Sequence, residues 1–141
     1  MIKDKEHIAH LMTLLHDDLL LDEALTEYEY FLKDGVIFIA CDGNKIIAYV
    51  HGVIRTDYVE GSEQYRNPKV GYIESLFVLE SYRKQGISRK LCKMLEDWSI
   101  EKGALEFASD AYADNFDSIA FHKAIGLEAS KSIVHFIKKL K

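Results

Sequence analysis

The stretch VGYIESLFVLESYRKQGISRKLCKMLEDW, residues 70–98, constrains the fold more than any other part of the chain. Its first eleven residues are mostly apolar, β-branched or aromatic, and they predict a strand. A basic, glycine-bearing turn follows at once: Arg83-Lys84-Gln85-Gly86-Ile87-Ser88. From there Ile87, Leu91, Met94, Leu95 and Trp98 recur at helical spacing. They predict an amphipathic helix that buries this stripe against a sheet and stops at Gly103. A strand feeding directly into a helix that packs back on the sheet is the unit of α/β architecture.

The flanking segments extend this pattern. Ile8, Leu11, Met12, Leu15 and Leu19 share one helical face, and a second helical stretch runs from about Asp22 to Lys33, with Gly35 ending it. Residues 36–54, VIFIACDGNKIIAYVHGVI, alternate around Asp42-Gly43-Asn44 and predict a hairpin. Residues 55–69 are polar and turn-rich, and predict a loop beside a possible site. ALEFASD, residues 104–110, predicts a short strand; Asp114 caps a helix running to about Ile125, and Gly126 ends it. SIVHFIKKL, residues 132–140, predicts a closing strand. The expected fold is a single α/β domain over residues 1–141, a mixed central sheet with helices on both faces.

Composition narrows the function classes. The chain has 141 residues, of which 48% are hydrophobic and 29% charged, the balance of a globular domain rather than a disordered one. No run approaches 18 apolar residues and the start MIKDKEHIAH has no apolar signal core, so the expectation is a cytoplasmic protein with no membrane partner. A net charge of −5 argues against a nucleic-acid partner and suits a cationic one. Cys41 and Cys92 lack metal-site spacing and read as small core residues, with no metal and no redox role expected.

The basic turn has a physical use. The first amides of a helix lack internal partners, and with the positive end of the macrodipole they form an anion site. Gly86 allows a close backbone approach, and Arg83, Lys84 and Arg89 add charges suited to phosphate. On the hexamer alone, a solvated basic turn fits equally well. The sequence matches neither GxxxxGK[ST] nor GxGxxG.

Two carboxylates also stand out. Glu74 lies among mostly apolar strand residues, where a charge is costly unless paired or used, although an open sheet face would leave it merely exposed. Asp110 ends the strand ALEFASD, and strand-end carboxylates in α/β sheets commonly line the ligand crevice; turn formation is its alternative role. Asp57, Glu60 and Glu63 lie in one loop, and Asp110, Asp114 and Asp117 form an acidic run that suits a polycationic ligand.

Arg83-x-x-Gly86-x-Ser88 after a strand resembles the acetyl-coenzyme A loop of the GNAT superfamily of N-acetyltransferases, with Ser88 where the pattern has glycine or alanine. RTDYVEGS, VGYIESLFVLESYRKQGISRKL, EDW, FASDA and AFHKAIGLEAS are similar in order and spacing to bacterial aminoglycoside 6′-N-acetyltransferases, a resemblance that covers roughly residues 55–140. The resemblance implies that acetyl-coenzyme A is the donor and a cationic aminoglycoside amine the acceptor. It implies that Arg83, Lys84, Gln85, Gly86, Ile87, Ser88 and Arg89 hold the diphosphate. The backbone of Leu76, Phe77 and Val78 would pair with the pantetheine arm between two splayed parallel strands, with Asn115 nearby. Asp110, Tyr58 and Glu60 would line the acceptor pocket. So would Asp17 and Asp18 in LLHDDL, where His16 replaces a family tryptophan. His122 would stand where many relatives protonate the leaving thiolate. Relatives often dimerise, and SIVHFIKKL suits either a homodimer contact or an edge strand.

The chemistry asks for the same groups. An alkyl ammonium keeps its proton at neutral pH, and removing it costs roughly 4 kcal/mol. A carboxylate is the natural acceptor for that proton, with Glu74 the first candidate and Asp110 the second. A polyamine, peptide amine or other small amine fits the same residues, and a non-catalytic anion-binding module is the reading from another class.

Overall fold

The structure, a computed structural model, describes residues 35–56, 69–130 and 134–141. The helices expected before Gly35 and the loop over 57–68 lie outside them, and with them Asp17, Asp18, Tyr58 and Glu60. β1 (Gly35–Asp42) and β2 (Lys45–Arg55) form the expected antiparallel hairpin, with Gly43 at φ 60 in its turn. β3 (Val70–Val78) pairs antiparallel with β2, and β4 (Glu106–Ala108) joins the far side of β3 in parallel, so the sheet order is β1-β2-β3-β4. A parallel neighbour requires a crossover. Helix α1 (Ile87–Glu101) supplies it, and helix α2 (Phe116–Ala124) follows β4.

The core lies between α1 and the sheet. Ala48, Val50, Ile73 and Val78 from the strands meet Leu91, Cys92 and Leu95 from the helix, with Phe121 and Ile125 packing at the side. The buried residues of α1 are Leu91, Cys92, Leu95 and Ser99, so the helix is rolled away from the expected stripe. Met94 is 46% exposed, and Ile87 and Trp98 are only partly buried. The cause is close approach. A Cβ on Gly52 would stand 2.3 Å from Leu95 Cδ1, and one on Gly71 would stand 2.2 Å from Ser99 Oγ. Two strand glycines thus receive a leucine and a serine, and the small Cys92 and Ser99 bring the helix nearer than a Met94-centred stripe would.

Gly35 opens β1, and a Cβ there would lie 2.3 Å from the Gly52 carbonyl oxygen; the helix it was expected to end lies outside the described residues. Three further expectations are corrected. Cys41 is exposed, because it sits at the hairpin end just past the register shift that follows Ala40. Residues 134–141 form no strand: an alternating pattern needs a neighbouring backbone to pair with, and no described strand lies along this one. Val134, Phe136, Ile137 and Leu140 are exposed there. Finally, α2 is capped by Asn115, not Asp114: Asn115 Oδ1 accepts from the Ser118 amide at 3.2 Å. Asn115→Ala is therefore expected to cost about 1 kcal/mol, read as a fall of roughly 3 °C in a thermal melt, while Asn115→Asp retains most of the stability.

None of the described helices is long and apolar enough to cross a membrane. Among the described residues no group of three or more His, Cys, Asp or Glu side chains is placed to hold a metal ion.

Candidate active site

β3 leaves the sheet at Val78 through a single 3-10 turn, Glu80–Tyr82, in which Tyr82 N donates to Leu79 O and Arg83 N to Glu80 O. Lys84 at φ 63 and Gly86 at φ 80 are both left-handed and swing the chain into α1. Gly86 is the N-cap and no side chain caps the helix. Lys90 N makes the first helical bond, to Gly86 O, so the amides of Ile87, Ser88 and Arg89 precede the ladder. Among the described residues, a Cβ on Gly86 would meet nothing within 4 Å, so none of them fills the space beside Gly86. A helix mouth of this kind fits a diphosphate.

The arginines of the turn also have protein partners, which the sequence does not reveal. Arg83 Nε donates to Val78 O at 2.9 Å, and its guanidinium lies 5.5 Å from the Phe77 ring centre, tying the turn back to its strand. Arg89 Nη2 donates to Ala124 O at 2.9 Å, at the end of α2, where a cation also meets the negative end of the helix dipole. Lys84 and Gln85 are exposed.

β3 and β4 pair only at Val70 with Glu106, Gly71 with Phe107 and Tyr72 with Ala108. β3 then runs on to Val78 with no described strand on that side. Along Leu76, Phe77 and Val78, which pair with Val50, Tyr49 and Ala48 of β2, alternate backbone amides face away from β2, toward the parting.

Glu74 owes its exposure to a β-bulge. His51 pairs with Ser75 and Gly52 with Ile73, so Glu74 is the extra residue in β3 and has no partner across the ladder. Arg55 Nη2 holds Glu74 Oε1 at 2.8 Å, and the same guanidinium lies 4.0 Å over the Tyr72 ring. The Tyr72 hydroxyl donates to Asp110 Oδ2. Burial first, then the bond to Asp110, pushes the Tyr72 hydroxyl far above its usual range, so it stays a donor at any working pH. The two carboxylates singled out in the sequence are thereby linked through two residues that were not. A signal for Tyr72 was present: it lies two residues before Glu74, the spacing of one strand face. Arg55 had none, since its register against β3 crosses a long loop.

His122 bridges the exit of β4 to α2. Its Nδ1 lies 2.6 Å from the Ser118 carbonyl oxygen and its Nε2 2.9 Å from Ser109 Oγ. A nitrogen facing a carbonyl carries the proton, so in the neutral ring Nε2 accepts from the Ser109 hydroxyl. Asp114 and Asp117 are exposed beside this segment.

Residues 6–127 match the acetyltransferase (GNAT) family. The chain belongs to that family. Two relatives of this GNAT chain are aminoglycoside N(6′)-acetyltransferases type 1. The one from Acinetobacter haemolyticus is 34% identical over 77% of this chain and 72% of its own. The one from Salmonella enteritidis is 32% identical over 96% of this chain and 95% of its own. Among solved structures, the aminoglycoside 6′-N-acetyltransferase AAC(6′)-IG from Acinetobacter haemolyticus superposes with a TM-score of 0.88 at 29% identity, covering 100% of this chain and 96% of that one. AAC(6′)-Iy, solved with the bisubstrate analogue CoA-S-monomethyl-acetylneamine, gives a TM-score of 0.86 at 29% identity, covering 97% and 92%. The mixed sheet of the described residues, with β3 and β4 parallel, is thus part of the GNAT architecture.

Proposed function

We propose that this GNAT enzyme transfers acetyl from acetyl-coenzyme A to the 6′-amine of aminoglycosides by direct attack of the amine, and so confers resistance to them. The observation that carries the reading is the pair Glu74 and Asp110, linked across two parting strands beside an uncapped helix mouth. The relatives support the choice of acceptor.

Ile87, Ser88 and Arg89 amides, with Lys84 and Arg83, hold the diphosphate. Acetyl-coenzyme A, when bound, supplies an acyl thioester. An outward amide from Leu76 or Phe77 stabilises the negative charge that develops on the carbonyl oxygen. Glu74 takes the ammonium proton, directly or through a water, and leaves the amine lone pair free to attack. Asp110 holds a second ammonium of the acceptor. The departing sulfur takes its proton from the imidazolium form of His122, whose Nε2 proton passes through the Ser109 hydroxyl and leaves the ring neutral. Asn115 borders the same cleft while capping α2. Direct attack needs no enzyme nucleophile. Cys92 is unsuited to that role, since burial raises its thiol to about 11, and Cys41 lies at the hairpin turn. Outside the described residues, Asp17, Asp18, Tyr58 and Glu60 complete the acceptor pocket. A second copy of the chain covers the exposed apolar residues near the C-terminus, which makes the enzyme a homodimer.

An acceptor panel read by thiol release tests the assignment. Aminoglycosides carrying a 6′-amine are expected to be acetylated, and those differing only in a 6′-hydroxyl are not. Equal turnover of both, or preference for simple polyamines, overturns the acceptor.

A further inference from the structure

We infer that Arg55 and Tyr72 are positioning residues that hold Glu74 and Asp110 as one acceptor-binding unit. The inference deepens the acetyl-transfer reading and rests on it. Glu74 projects from a bulge on a side chain with three torsions, so a fixed carboxylate needs an external tie. Arg55 provides it at 2.8 Å. Arg55 is itself seated on the face of Tyr72, a ring 6% exposed and fixed in the sheet. Cation–π seating holds the guanidinium plane, so the carboxylate it grips has a defined place. Asp110 lies two residues past the last residue of β4, on a segment already leaving β3, and the Tyr72 hydroxyl draws it back.

Arg55 also offsets part of the negative charge that the two carboxylates bring to the site. Exposed ion pairs contribute little to stability, so what Arg55 supplies is chiefly the direction of Glu74.

The full chain and four variants, Arg55→Gln, Arg55→Lys, Tyr72→Phe and the double Arg55→Gln/Tyr72→Phe, test this. Each is assayed for kcat and both KM values on whichever amine the panel finds best. That choice keeps the result readable if the aminoglycoside assignment itself fails, which only the wild-type panel decides. Arg55→Gln is expected to lower kcat about tenfold with the acetyl-coenzyme A KM within about twofold, since misplaced groups lose rate before donor binding. Arg55→Lys recovers most of that loss. Tyr72→Phe keeps the ring and removes the donor to Asp110, so the acceptor KM rises about fivefold at nearly unchanged kcat. The double variant loses less than the product of the single losses, because the two act through one chain of contacts. Wild-type kcat in Arg55→Gln, or equal losses in Arg55→Gln and Arg55→Lys with multiplicative combination, overturns the inference. A crystal structure of Arg55→Gln with Glu74 unmoved does the same.

Discussion

Glu74→Gln is expected to lower kcat/KM for an aminoglycoside amine by about a hundredfold at neutral pH, the range over which general bases act. The substitution keeps size and hydrogen bonding and removes the proton acceptor. The fold is expected to survive, because Glu74 is exposed at a bulge and its partner Arg55 is itself partly solvated. Donor binding is expected to be unaffected, since the diphosphate site lies beyond the C-terminal end of β3 and Glu74 sits at the middle of the strand. The pH dependence gives a sharper test. The free-amine fraction of an alkyl ammonium grows about tenfold per pH unit until its pKa near 10. The deficit of Glu74→Gln should therefore shrink as pH rises. A deficit constant from neutral pH upward, or no deficit, removes Glu74 from the proton-accepting role.

Gly86→Val is expected to raise the acetyl-coenzyme A KM by about two orders of magnitude. At φ 80 a β-branched residue is strained, and relief of that strain re-aims the amides of Ile87, Ser88 and Arg89. Strain and obstruction are separable. Asparagine tolerates the left-handed region, and a Cβ at this site meets no atom of the described residues within 4 Å, so Gly86→Asn is expected to fold with near-wild-type melting. It should still lose donor affinity, because its side chain stands where the diphosphate approaches. Calorimetry with coenzyme A reads this directly. Wild-type affinity in Gly86→Asn would mean that the phosphates are held elsewhere.

Local pattern carried the fold where the decisive contacts are close in sequence. The hairpin follows from alternation around Gly43, β3 from its β-branched run, and the start of α1 from Gly86. The departures come from distant pairings. The roll of α1 depends on Gly52 and Gly71, whose missing side chains matter only once the strands lie beneath Leu95 and Ser99. The bulge at Glu74 depends on the register against His51 and Gly52, which the residues of β3 alone do not fix. The link from Arg55 to Asp110 joins three segments, and no single spacing encodes it. The C-terminal alternation looked like a strand because pattern reports a willingness to pair, not a partner.

Three ladder pairs, from Val70 to Tyr72, are all that join β4 to β3. Resistance to brief local unfolding grows with the number of such bonds. The donor end of the cleft is built on a strand laced to β2 along its length, whereas Asp110 hangs two residues beyond the end of a short one. Amide hydrogens around Asp110 should thus exchange with solvent sooner than those of β3, giving one half of the cleft the freedom to adjust to acceptors of different size while the other half keeps its shape.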